Sequence, residues 1–99
     1  MAEAKVACRT PNPGKPGVTN IPEWRFNLVS DAIRNALRDG DLEFTDLPGA
    51  VKARLSDSDL ARLGSLGWNV TTVKLELEVR GEVERIPGFS PQRLRLAGT

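Results

Sequence analysis

The sequence contains no histidine and no tyrosine, and it has a single cysteine among its 99 residues. It also lacks the metal-binding spacings C-x-x-C and H-E-x-x-H. Acid–base chemistry would therefore rest on carboxylates or lysines, and Cys8 has no histidine to activate it as a nucleophile. These absences predict a protein that is not an enzyme and that has no catalytic residues, no metal site and no cofactor.

Long apolar segments are absent as well. No apolar run approaches the roughly 20 residues that cross a bilayer, and no apolar stretch follows the N-terminal MAEAKVACRT as it would in a secretory signal. The lone Cys8 cannot form an internal disulfide, which fits a reducing compartment. We therefore expect a cytoplasmic protein without membrane contact.

The chain has little excess charge of either sign. Fourteen basic and 13 acidic side chains leave a net charge of +1, so the molecule as a whole would not be drawn to phosphates. Any binding to nucleic acid must come from local clustering of basic residues. A chain of this length has room for one domain with one modest core.

The N-terminal region divides into a strand and an arm. The letters KVAC have enough β character for one short strand, in which Cys8 would be a half-buried structural thiol. Arg9 to Pro22, RTPNPGKPGVTNIP, contains four prolines and two glycines and lacks the alternation of a paired strand. It is predicted to be an extended arm over the domain surface.

Helical patterns dominate the middle of the chain. The first helix is predicted to begin near Pro22, with Asn20 as its cap and Glu23 in capping-box spacing, and to end at Gly40. A short strand in DLEF and helices in DLPGAVKARL and DLARLGSLG follow. Four residues share the inner face of the first helix: Phe26, Val29, Ile33 and Leu37.

The last third predicts one more helix and a hairpin. In WNVTTVKLELEVRG, Val70, Val73 and Leu77 share a face and Gly81 ends the helix. EVERI and QRLRLAG then alternate apolar with charged residues around the turn PGFSP. The expected fold is α+β and winged helix-turn-helix-like, with three to four helices, a C-terminal two-stranded β-hairpin and an extended N-terminal arm. The strand and arm occupy residues 1–22 and the winged-helix-like domain residues 23–99.

The stretch GWNVTTVKLELEVRGEVERIPGFSPQRLRL resembles the C-terminal half of a small bacterial family of uncharacterised, winged-helix-like proteins. In that family a glycine and a tryptophan precede a V-x-T-V-x-L-x-L-E helix, a glycine and a hairpin that ends in an R-L pair. The arm and FNLVSDAIRNAL are also similar, with Phe26 at an aromatic position and Ala32 at a small one. The resemblance implies the fold and leaves the function open.

The winged-helix interpretation predicts double-stranded DNA as a partner, because the start of a recognition helix reads base edges while other elements contact phosphates. Glu76 and Glu78 oppose deep insertion of this helix into a groove, since they would repel the phosphate backbone. The candidate DNA contacts are Asn69, Thr71, Thr72 and Lys74 on the helix and Arg85, Arg93 and Arg95 on the hairpin.

Protein association is the alternative, and it depends on a second apolar face of the last helix. Leu75 and Val79 fall nearly opposite its core face, so the arm, the hairpin or another copy of the chain must cover them. Trp68 is predicted to close the core, whereas Trp24 either packs under the arm or forms an exposed contact. Because winged-helix folds frequently bind DNA, we prefer a transcription-related DNA-binding module to a protein-interaction or homo-oligomerisation module.

Overall fold

A two-stranded antiparallel sheet begins the chain in the computed structural model, which describes residues 4–11 and 17–97. Strand β1, Lys5–Arg9, pairs with strand β2, Val18–Pro22, in a register that places Val6 opposite Ile21. The prediction of an unpaired arm was therefore wrong for Val18–Pro22, although residues 12–16 of that arm lie outside the described residues. Inward-facing Cys8 and Ile21 are buried, which anchors this sheet to the rest of the molecule.

Helix α1, Glu23–Arg38, follows β2 without a connecting loop. Its N-cap position is Pro22 and has no side-chain cap, so the prediction of Asn20 as the cap was wrong because Asn20 belongs to β2. The backbone N–H of Glu23 instead donates to the carbonyl of Ala4, at 2.9 Å. The predicted inner stripe is confirmed as buried: Phe26, Val29, Ile33 and Leu37.

The remaining elements form a helical layer and a second sheet. Ser56 caps the helix Asp57–Leu63 by accepting a hydrogen bond from the Asp59 N–H. Gly81, at φ 76°, follows the end of the helix Leu66–Val79 in a conformation that favours glycine. In chain order the elements are β3 Leu42–Glu43, a 3₁₀ turn Phe44–Asp46, α2 Leu47–Lys52, α3 Asp57–Leu63, α4 Leu66–Val79, β4 Val83–Ile86 and β5 Arg93–Leu96.

The predicted C-terminal hairpin is present as β4 and β5, and β3 extends it to an antiparallel sheet of three strands in the order β3-β5-β4. The described residues thus form a mixed α+β fold with four α-helices and two small antiparallel sheets. None of these helices is both long enough and apolar enough to cross a membrane.

The core lies between α1, α4 and the inner faces of both sheets. Helix α4 is its central element, because it packs against α1, α2, β1 and β4. Val70, Val73 and Leu77 of α4 are completely buried, as their shared face predicted. The orientation of α4 therefore decides which of its other residues are exposed to solvent.

Candidate interaction surface on helix α4

The outer face of α4 presents one row of uncharged residues. Successive helical residues rotate by about 100°, so the residues opposite the buried face can be assigned directly. We call this row the outer stripe, and it consists of Trp68, Thr72, Leu75 and Val79.

The side chains of the outer stripe are partly exposed, and Trp68 retains 47% of its accessible surface. The prediction that Trp68 closes the core was wrong. Because α4 begins at Leu66, Trp68 already lies in its first turn, two residues before Val70 and therefore on nearly the opposite side. Leu75 and Val79 do not belong to the hydrophobic core cluster or to the side chains packed against it.

One flank of the outer stripe is a buried ion-pair network around Glu76. The Glu76 carboxylate is only 1% exposed and accepts from the Arg9 backbone N–H at 2.8 Å and from Arg9 Nε and Nη2 at 3.0 and 2.8 Å. Arg80, one turn further along α4, donates from Nε at 2.7 Å. Glu76 thereby fastens the end of β1 to α4.

The protonation of Glu76 follows from this environment. Burial by itself would raise the pKa of the carboxyl, but the hydrogen bonds from Arg9 and Arg80 outweigh it and lower the pKa to about 2. The same network surrounds Cys8, whose thiol pKa is raised by burial and by the nearby Glu76 charge. Glu76 is therefore a structural anion at neutral pH, and Cys8 is a buried thiol with little thiolate character.

The other flank is built around Lys74. Its side chain is 2% exposed, and Nζ lies 2.9 Å from the Glu78 carboxylate, 3.4 Å from the Gln92 side-chain oxygen and 4.5 Å from the centre of the Phe44 ring. Arg85 pairs with Glu78 from the hairpin side. Burial lowers the pKa of the Lys74 ammonium, and the pairing with Glu78 opposes that shift.

These contacts remove two residues from the candidate DNA-binding set. Lys74 is enclosed by Glu78, Gln92 and Phe44, and Asn69 is 1% exposed. The Asn69 amide nitrogen donates to the carbonyls of Leu63 and Ser65 and so stabilises the turn between α3 and α4. Neither side chain can reach a base edge in this structure, while Thr71 and Thr72 keep partial exposure.

Among the hairpin arginines of the candidate set, Arg85 and Arg95 are exposed and Arg93 is partly exposed, but each has an acidic partner. Arg85 pairs with Glu78 and Arg95 with Glu84. Arg93 lies 4.0 Å from Glu43, and its guanidinium carbon lies 5.3 Å from the centre of the Phe89 ring. Because Lys74 is buried between the helix and the sheet, it does not join these arginines in one positive surface.

Sequence reasoning did not predict the ion-pair network of Arg9, Glu76 and Arg80. The spacing of Glu76 and Arg80 by four residues is typical of a helical ion pair, and it was the available indication of this network. Nothing local links Glu76 to Arg9, because 67 residues separate them in the chain. Only the packing of β1 on α4 brings them together.

Comparison with known proteins agrees with the expected membership in an uncharacterised family. No curated protein and no solved structure matches the chain. A family model does match it, over residues 5–94, which include every helix and nearly all of both sheets. The chain therefore belongs to the family of unknown function DUF6958.

Proposed function

We propose that the protein is a non-enzymatic docking module that associates with a second copy of itself through the outer stripe of α4. The observation that carries this proposal is the position of Trp68, Leu75 and Val79 on one line, facing away from the core and partly exposed. A face of this kind gains free energy when a partner removes it from water, at about 25 cal/mol for each Å² of apolar surface.

The spacing of the outer stripe suits a second copy. Its members follow one another at intervals of four, three and four residues, a spacing that matches the apolar seam of a coiled coil. The order of these intervals is the same in both directions along the helix. A twofold axis between Thr72 and Leu75 would place an antiparallel α4 on α4. The large Trp68 would then face the smaller Val79 of the other copy, and Leu75 would face Thr72. Each large side chain would therefore pack against a smaller one.

The charges beside the outer stripe do not oppose this contact. Glu76 and Glu78 would bring like charges together across the axis if they were free, but both are neutralised within the chain. Arg9 and Arg80 pair with Glu76, whereas Lys74 and Arg85 pair with Glu78. The two networks thus leave an uncharged strip between them.

The size of the surface predicts a weak dimer. Helix α4 has 14 residues, which corresponds to about 21 Å of length. One face of such a helix is small beside the roughly 800 Å² that each partner contributes to a standard stable interface. We therefore expect dissociation in the micromolar range or weaker, so that assembly depends on protein concentration.

The double substitution Leu75→Glu with Val79→Glu should convert the protein into a folded monomer at all concentrations. The wild type should show a mass that rises toward that of a dimer as concentration increases, because its association removes both side chains from water. Light scattering coupled to size-exclusion chromatography measures the mass, and a thermal melt reports whether the variant is folded.

The matched control is Val18→Glu with Phe89→Glu, which introduces the same charges at exposed apolar positions outside the outer stripe. This control should keep the concentration-dependent mass of the wild type. A wild type that stays monomeric up to millimolar concentration would refute self-association. A double mutant of unchanged mass and much lower melting temperature would show that the stripe forms an internal contact instead.

Duplex DNA binding is the second candidate function, favoured by the arrangement of the C-terminal sheet. The order α1, β3, α2, α3, α4, β4, β5 with strands β3-β5-β4 agrees with a winged helix-turn-helix-like fold, which serves both DNA and protein recognition. The β4–β5 hairpin carries Arg85, Arg93 and Arg95 on its surface, where they can exchange their carboxylate partners for phosphates.

If those arginines contact phosphates, each contact contributes about −0.9 to the slope of log K for duplex binding against log salt concentration. The double substitution Arg93→Ala with Arg95→Ala should therefore make that slope less steep by up to about two units. Fluorescence anisotropy with a labelled duplex over a range of salt concentrations measures that slope. Arg38→Ala with Arg54→Ala, which removes two charges elsewhere, should leave it unchanged. No detectable duplex binding at low salt would eliminate this function.

A further inference from the structure

The Trp24 ring lies close to two arginines from different helices. The Arg62 guanidinium carbon, on α3, is 4.2 Å from the centre of the indole ring, and that of Arg25, on α1, is 5.4 Å away. Trp24 is not one of the buried residues of α1, and its side chain is partly exposed. The two contacts place two positive charges against one aromatic surface.

These two arginines differ from the others in the described part of the chain. Seven of the ten arginines form ion pairs with carboxylates, and Arg38 donates to the Asn35 side chain. Within residues 4–11 and 17–97, Arg25 and Arg62 have neither kind of partner. The Arg25 Nε atom is moreover buried without a hydrogen-bond acceptor.

From this arrangement we propose that Trp24, Arg25 and Arg62 form a binding site for a phosphate group. Two guanidinium groups at one ring place two unbalanced positive charges together, and a phosphate monoester, with a charge close to −2, balances both, whereas a carboxylate balances one. The planar fork of N–H donors on arginine matches phosphate oxygens.

The surroundings permit an anion to approach. Glu23, the neighbour of Trp24, is exposed to solvent and forms no ion pair with either arginine within the described residues, so water and salt screen its charge. Arg62 is exposed on α3, so an anion in solution can approach its guanidinium group. The proposal uses a different surface from the outer stripe and does not depend on self-association.

The test titrates inorganic phosphate into the Trp68→Phe variant, in which Trp24 is the remaining tryptophan, while sodium chloride keeps the ionic strength constant. We expect a saturable change in Trp24 fluorescence. Arg25→Gln and Arg62→Gln should each weaken phosphate binding by at least about tenfold, because each removes a charged hydrogen-bond donor. In the unmodified protein, phosphate should also shift the Arg25 Nε–H resonance in a ¹⁵N correlation spectrum.

Arg38→Gln provides the matched control, since it removes from the same helix an arginine that pairs with no carboxylate among the described residues. It should retain full phosphate affinity, and acetate at equal concentration should bind more weakly than phosphate. Equal weakening by Arg38→Gln would show nonspecific charge screening and overturn the site. A response absent in both the fluorescence and the NMR titration, or acetate binding as tight as phosphate, would overturn it as well.

Discussion

Replacing Glu76 with glutamine should lower the free energy of unfolding by about 2–3 kcal/mol at neutral pH and should have almost no effect near pH 2. The pKa of Glu76 is lowered from 4.5 to about 2 in the folded protein, and each unit of such a shift corresponds to about 1.4 kcal/mol. The expected loss is smaller than the free energy that corresponds to the whole pKa shift. Arg9 and Arg80 are 52% and 38% exposed, so solvent screens part of their interaction with Glu76.

The sign of the pH dependence follows from the direction of that shift. A carboxyl whose folded-state pKa is lowered stabilises the fold fully above its unfolded pKa, and this contribution is lost as pH falls from about 4.5 toward 2. Other acidic groups titrate in the wild type and in the variant alike, so the difference between the two isolates Glu76. Urea unfolding at a series of pH values measures it.

Glu84→Gln is the matched control for this experiment. Glu84 also pairs with an arginine, but both side chains are exposed, at 43% for Glu84 and 49% for Arg95. Exposed ion pairs contribute less than about 1 kcal/mol, so the control should remain close to the wild type at every pH. Equal effects of the two substitutions would mean that Glu76 does not hold β1 on α4.

The elements of the fold were largely predictable, because most of them depend on local patterns. Phe26, Val29, Ile33 and Leu37 lie on one side of any helix with this spacing, and the alternation in β4 and β5 marks a hairpin with one buried face. Of the hairpin β1–β2, the sequence predicted the first strand but not the second. Proline and glycine correctly indicate the lack of helix before Val18, but pairing of Val18–Pro22 with β1 is a nonlocal contact that composition does not show.

The candidate site was less predictable, and the charged segment KLELE shows why. Lysine and glutamate usually lie at the surface, so the sequence indicates that Lys74, Glu76 and Glu78 face solvent. In the structure their partners come from distant segments: Arg9 reaches Glu76, Gln92 reaches Lys74 and Arg85 reaches Glu78. Pairing makes their burial tolerable, and it leaves the uncharged residues of α4 to face outward.

The same error affected both functional hypotheses, in opposite directions. A solvent-facing Lys74 supports contact with DNA, whereas solvent-facing glutamates argue against it. With all three charges buried or neutralised, α4 offers neither attraction nor repulsion to a phosphate backbone. What the helix does present is Trp68 and the two aliphatic residues that follow it along the outer stripe, which is why docking now ranks above DNA binding.

Replacing Lys74 with alanine should lower the melting temperature by roughly 10 °C or more, because a loss of about 2–4 kcal/mol shifts a domain of this size by several degrees per kcal/mol. The substitution removes a buried side chain whose Nζ lies over the Phe44 ring, and it leaves the nearly buried Glu78 with Arg85 alone. Lys74→Met keeps an apolar stem of similar length and should cost about half as much, which separates packing from charge. Differential scanning calorimetry measures both shifts.

Lys52→Ala is the control, since Lys52 lies at the end of α2 with its side chain in solvent and should change the melting temperature by no more than a degree or two. The comparison also distinguishes the two candidate functions, because they make opposite predictions for Lys74. If Lys74 contacts DNA, Lys74→Ala should leave the melting temperature unchanged and weaken duplex binding. If Lys74 instead joins α4 to the sheet, the substitution should lower the melting temperature and leave duplex affinity unchanged. A Lys74→Ala protein with the stability of the wild type and weakened duplex binding would contradict the buried position and restore the recognition-helix hypothesis.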